Sequence, residues 1–198
     1  NLMVAAYNTN LIPAADLPHA WTDLLDPKWK GKLGIEAEDY DWFATVVGEF
    51  PSEAEGIEYF RQLTASNGLS VRKGHTLLTN LTASGEVPLA LTVFDFTSKQ
   101  VKADGAPLEW FSIGAVPTRL NGVAVSKTAP HPNAALLFHE FMLSDGQDVL
   151  AERGVTPTNT KRVPLPEDIE LKLIEPAFVL DHGQRWAELY DEIVVAPR

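Results

Sequence analysis

A chain of 198 residues, 45% hydrophobic and 22% charged, is long enough for one large core or two small ones and has the balance of a soluble globular protein. Its net charge of −11 argues against nucleic acid and anionic membrane as partners, since both select basic patches, although acidity also serves simply to keep a protein dispersed. The absence of cysteine excludes disulfides, thiolate metal sites and cysteine nucleophiles, and no apolar run approaches the ~20 residues that span a bilayer. The chain opens on Asn1 with neither Met nor a signal peptide, which reads as a processed product, a trimmed chain or a fragment.

In chain order, strands and helices alternate. "NLMVAAY" (1–7) reads as a strand, and "HAWTDLLD" spaces Trp21, Leu24 and Leu25 as a short helix stopped at Asp26-Pro27. "GKLGIEA" (31–37) is a strand and "DWFATVVGEF" (41–50) a helix. Ser52 and Glu55 form a capping box for a helix carrying Ile57, Phe60 and Leu63, ended by Asn67-Gly68. "LSVR" (69–72) is a strand, Gly74 opens a short helix and Gly85 closes it. A buried strand follows over 87–96, then a helical piece, "TSKQVKAD", stopped by Gly105.

"APLEWF" and "NGVAVSK" read as further strands. Asn133 is expected to cap "AALLFHEFML", whose Ala134, Leu137, Phe138 and Phe141 share one face, and Ser144 with Gln147 makes a second capping box. A Pro-rich connector (155–166) leads to a last helix with Trp186, Leu189, Tyr190 and Ile193. The alternation predicts an α/β protein with a largely parallel sheet.

Recognised catalytic patterns are lacking. The histidines at 19, 75, 131, 139 and 182 make no zinc-helix pair, and there is no Gly-x-Ser-x-Gly elbow, P-loop or dinucleotide fingerprint. Attention therefore falls on the carboxyl ends of strands, where open α/β sheets bind ligands. "EAEDYDW" offers Glu38, Asp39, Tyr40, Asp41 and Trp42, or is plain solvated surface. "RKGHT" opens a helix whose first amides could hold an anion, or His75-Thr76 merely caps it. "FDF" sets Asp95 between Phe94 and Phe96. A buried carboxylate needs a partner, water or a ligand, and the simplest use of this one is as a helix cap.

Three stretches, "YNTNLIPAADLPHAWTDLLDPKWKGKLGI" (7–35), "ASGEVPLALTVFDFTSKQVKADGAPLEW" (83–110) and "LNGVAVSKTAPHPNAALLFHEFMLSDGQDVLAERG" (120–154), resemble the extracellular solute-binding proteins of ABC importers. The branch is the one that binds iron(III), thiamine, phosphonates or phosphosugars. The resemblance implies the type 2 periplasmic-binding-protein-like fold, with two α/β lobes of mixed sheet flanked by helices, joined by hinge strands and closing on a solute. It implies a non-catalytic protein without a cofactor, periplasmic or extracellular and open to lipid anchoring, that hands a small solute to a membrane permease.

Full members carry an additional N-terminal segment in the first lobe. On that plan 1–8 is a hinge strand, 9–116 the second lobe, 117–125 a hinge strand and 126–155 a remnant of the first lobe. Residues 156–198 then form a C-terminal helical segment packed back on the lobes. The apolar face of helix 133–143 would lack its sheet, which leaves homodimer formation open.

Iron-binding relatives carry an adjacent tyrosine pair where this chain has Asp95 and Phe96, so the resemblance leaves Asp95 as the one metal candidate there and puts ferric ion in doubt. A small organic cation or a phosphorylated compound suits the surviving groups. The candidate solute-binding residues are Tyr7, Asn8, Asp41, Trp42, His75, Thr76, Phe94, Asp95 and Phe96. The alternative function is the ligand-sensing domain of a transcription regulator built on the same plan.

Overall fold

The computed structural model describes residues 1–161 and 169–197. Its organising strand is β1 (Met3–Asn8), buried along its whole length. Met3, Ala5 and Tyr7 join one hydrophobic cluster and Leu2, Val4 and Ala6 another, because successive side chains of a strand point to opposite faces. A strand apolar on both faces has to be central. β1 accordingly lies between β4 (Leu89–Phe94) and β5 (Leu108–Phe111), antiparallel to both. With β2 (Leu33–Glu36) and β3 (Ser70–Arg72) the five-stranded order is β3-β2-β4-β1-β5, and β2 runs parallel to β3 and β4.

Helices cover both faces. Trp42, Phe43 and Val46 of α1 (Tyr40–Val47), Tyr59, Phe60 and Leu63 of α2 (Glu53–Asn67) and Trp186 and Tyr190 of α7 (Pro176–Tyr190) pack in the larger cluster. α3 (His75–Ser84) and α4 (Asp95–Ala103) cover the opposite face with Leu78 and Val101. The helix over 53–67 forms as its sequence dictates, with the Ser52 hydroxyl accepting from the Glu55 amide at 3.3 Å. Gly85 ends α3 at φ +86°, a left-handed conformation suited to glycine.

Residues beyond the sheet are arranged differently. β6 (Val116–Thr118) pairs in parallel with β7 (Leu171–Leu173), a strand that the sequence reading missed although Ile169, Leu171 and Leu173 alternate with Glu170 and Lys172. The strand expected over "NGVAVSK" is coil, since no neighbouring strand pairs with it among the described residues. α5 (Pro132–Leu143) begins one residue before Asn133, so Asn133 is no cap. It buries none of its residues, and Leu137 and Phe138 are 74% and 60% exposed.

The capping box at Ser144 is not made. Gln147 instead accepts from the Thr158 and Asn159 amides and donates to the Met142 carbonyl, pinning the loop that follows α6 (Gly146–Glu152). The expected helix over 19–26 is a tight 3-10 turn, Trp21–Leu25. Residues 162–166 of the expected connector lie outside the described residues.

Candidate acidic cleft at the carboxyl ends of the parallel strands

The site begins with a defect in β4. Between the pairs Val4↔Val93 and Ala6↔Ala90, β4 carries one residue more than β1, a bulge that bends the strand. Thr92, buried at this irregularity, accepts the Glu36 amide on its hydroxyl at 2.9 Å. Glu36 ends β2 with its side chain 3% exposed. One carboxylate oxygen accepts the Gly74 amide at 2.9 Å and the other the Glu38 amide at 2.5 Å. Gly74 presents its amide at φ +105°, where an L side chain is rarely found. The α3 terminus expected to bind an anion is therefore already faced by one of the protein's own carboxylates.

Two more buried carboxylates stand beside Glu36, from the loop and first turn of α1. Asp39 is 1% exposed and Asp41 7%. Asp39 meets the His75 Nε2 at 3.0 and 3.1 Å through its two oxygens. Arg119, just after β6, donates from Nε to Asp41 at 2.9 Å and from one terminal nitrogen to Asp41 at 2.5 Å and Asp39 at 3.2 Å. Burial pulls the pKa of this guanidinium down, and the carboxylates of Asp41 and Asp39 more than reverse it.

The Tyr190 hydroxyl closes the back of the site by donating to the Glu36 carbonyl. Burial, reinforced by Asp39, Glu36 and Asp41, raises its pKa far above the phenol range, so it stays a donor. The His75 ring lies on Phe94, with centroids 4.0 Å apart and 21° between planes, and Phe94 stacks on Phe96 at 5.6 Å.

Glu36, Asp39, Asp41, His75 and Arg119 line an open cleft of about 770 Å³. Its polar wall holds Glu36, Glu38, Asp39 and Asp41 against the permanent cations Lys73 and Arg119. Its apolar wall is Leu120, Ile174, Pro176, Val179 and Leu180. Lys73 pairs with Glu38 at 2.7 Å on the exposed rim. A second depression of about 700 Å³ beside Arg61 and Glu192 has its cation already paired at 2.9 Å and gathers no comparable group of ligands.

The structure brings together Asp41, His75 and, through the ring stack, Phe94 and Phe96. It moves the other expected residues away. Trp42 is 1% exposed and sits edge-on to Trp21 and Phe60 in the core. Thr76 is exposed outside the cleft lining. Tyr7 and Asn8 stand at the opposite end of the sheet, paired with Leu89 and Leu108. There Asn8 donates to the Thr82 and Ala83 carbonyls and so anchors the end of α3.

Asp95 is fully buried as the first residue of α4. Lys99 one turn on bonds its Oδ2 at 2.8 Å and Thr156 the same oxygen at 3.4 Å, while its Oδ1 is buried without a hydrogen-bond partner among the described residues. Asp95 is not among the residues that line the cleft. Glu36 and Arg119 were absent from the expected residues, and Asp39 was named only as part of the acidic loop. For Glu36 the signal was present: a charged residue closing a buried apolar strand, the same anomaly that drew attention to Asp95.

The pattern of a family described as bacterial extracellular solute-binding protein matches residues 1–181. The chain belongs to that family. Among curated relatives, an uncharacterised protein of Haemophilus influenzae is 29% identical over 181 residues, covering 82% of this chain and 50% of its own length. This member thus spans about half of that relative.

Solved structures share the fold. The periplasmic binding protein P5PA superposes with a TM-score of 0.75 at 22% identity over 98% of this chain and 66% of its own. AfuA from Actinobacillus pleuropneumoniae, solved with fructose-6-phosphate, gives 0.73 at 23% over 99% and 67%. Iron-bound HitA from Pseudomonas aeruginosa gives 0.66 at 22% over 94% and 66%. The architecture is the type 2 periplasmic binding fold. Among the described residues, no helix is long and apolar enough to cross a membrane.

Proposed function

We propose that this chain is the solute-capturing part of an ABC importer's binding protein, acting by binding alone outside the cytoplasmic membrane and delivering its solute to a permease. The family match supports the importer over a regulator's sensing domain. On this reading 9–116 is one lobe, and β1 with 117–125 forms the hinge. Residues 126–155 belong to the other lobe, and α7 packs back on the lobe of 9–116. The exposed apolar face of α5 fits a lobe completed by further chain, as does the greater length of the relatives.

The solute carries positive charge. The observation behind this is the burial of Glu36, Asp39 and Asp41 on one wall with Arg119 as the one permanent cation bonded to them among the described residues. Buried carboxylates in excess of their counter-ions are costly, and a cationic solute offsets the excess. The fold relatives solved with iron and with fructose-6-phosphate show how varied the cargo of this fold is. Here the wall facing the cleft disfavours an anion that arrives without a cation.

Hinge closure would then be driven by the solute's preference for the state in which both walls touch it. Native mass spectrometry of protein purified from its own host tests the reading. A retained cationic mass supports it, and a retained anionic solute with no accompanying cation refutes it.

A further inference from the structure

We infer that Glu36, Asp39 and His75 form a site for a divalent transition-metal ion. The inference rests on the reading of the cleft as cation-accepting and names the class of cation. Each residue supplies one ligand atom, and the three atoms lie within 4.8 Å of one another. An ion held at about 2.0–2.2 Å from each donor needs donors no more than about 4.4 Å apart, a gap that a small side-chain rotation closes. The edge between the His75 Nε2 and the nearer Asp39 oxygen is already 3.0 Å.

Three independent features make this more than a group of surface acids. The two carboxylates are 3% and 1% exposed, so their charge is not dispersed by water. Each donor is also held by a second set of contacts, as ligands of bound metals are. Glu36 is fixed by the Gly74 and Glu38 amides, Asp39 by Arg119, and the His75 ring by the face of Phe94. Finally, the cluster lines the 770 Å³ cleft, so coordination positions not taken by protein face open space that water or a solute oxygen can occupy.

One imidazole and two carboxylates, with no thiolate or phenolate, suit Zn²⁺ or Mn²⁺ better than a soft ion. This set also differs from the Asp95-Phe96 position considered for ferric ion.

The test is calorimetric titration of the chelator-stripped chain with ZnCl₂ in the presence of excess Mg²⁺. One zinc per chain is expected, weakened roughly ten-fold or more in His75→Ala. Absence of stoichiometric zinc binding, or unchanged binding in a folded His75→Ala, overturns the inference. Because that variant could unfold, cobalt-loaded wild-type chain provides a second measurement. A hyperfine-shifted imidazole resonance is expected, and its absence overturns the site however the variant behaves. A chain that refuses zinc yet retains an organic cation on native mass spectrometry would leave the proposed function standing without the metal.

Discussion

His75 lies flat against Phe94, 4.0 Å between ring centroids, while its Nε2 faces both oxygens of Asp39. The pairing links β4 to the α1 loop across β2. It places an aromatic floor beneath a titratable ring that the acidic wall holds in orientation. Removing the floor should loosen the ring without removing the acid. In Phe94→Ala, the roughly 0.5–1.5 kcal/mol of aromatic contact is lost. Affinity for the solute should fall about two- to ten-fold with the fold intact, measured by titration calorimetry beside circular dichroism.

Arg119 should matter more for stability. It is the cation bonded to Asp39 and Asp41, and Arg119→Ala leaves both carboxylates buried with one partner fewer. Breaking a buried pair in this way costs about 3–5 kcal/mol. Partial exposure of the guanidinium places the expected loss at the lower end. Arg119→Lys should recover only part of it, because a point charge cannot reproduce a two-pronged contact. Urea unfolding of the three proteins decides the matter.

Glu49 predicts a pH effect of known sign. Burial raises its pKa above the usual 4.5, opposed by the hydrogen bond from the Trp21 indole at 2.9 Å and by Lys172. A raised folded pKa means that the native state holds the proton more tightly than the unfolded chain. Its contribution to stability is therefore present below 4.5 and lost as pH rises through the folded value. Glu49→Gln, which keeps an acceptor for Trp21, should melt higher than wild type at pH 7 and close to it at pH 4. Thermal scans at both pH values would show an unchanged difference if Glu49 carried no shift.

Gly56 tests the helix packing that supports the cleft from behind. A Cβ there would stand 2.6 Å from the Val47 carbonyl oxygen and 2.8 Å from its Cα, both backbone atoms of α1 that cannot swing aside. Gly56→Ala should cost about 1–3 kcal/mol, although alanine is the better helix former. Chemical denaturation that showed a gain would mean that α1 and α2 separate readily.

For Asp95 the expectation is restraint. Asp95 lies outside the cleft lining, with one carboxylate oxygen paired to Lys99, whose side chain is 41% exposed, and the other buried without a hydrogen-bond partner among the described residues. Asp95→Ala should leave solute affinity unchanged and shift only stability, a result that calorimetry and unfolding together can separate from a direct ligand role.

Part of the local structure, and the family, were legible along the chain. The apolar strand β1, the Ser52 cap and the Gly85 stop are properties of adjacent residues, and each formed as its chemistry requires. The ordered blocks over 7–154 pointed to solute-binding proteins, as the family match over 1–181 shows.

Tertiary structure alone decided which polar groups meet. Arg119 lies 78 residues from Asp41 and 80 from Asp39 along the chain, a separation with no periodic signature. Only the parallel arrangement of β2, β3 and β4 brings the Glu36, His75 and Phe94 ends together, and it leaves Tyr7 and Asn8 at the far end because β1 runs antiparallel. Trp42 carried the expected chemistry, but the core around Phe60 claimed it first. Propensity acts over a few residues and is legible along the chain, whereas the direction of neighbouring strands sets the site and becomes known only once the sheet is assembled.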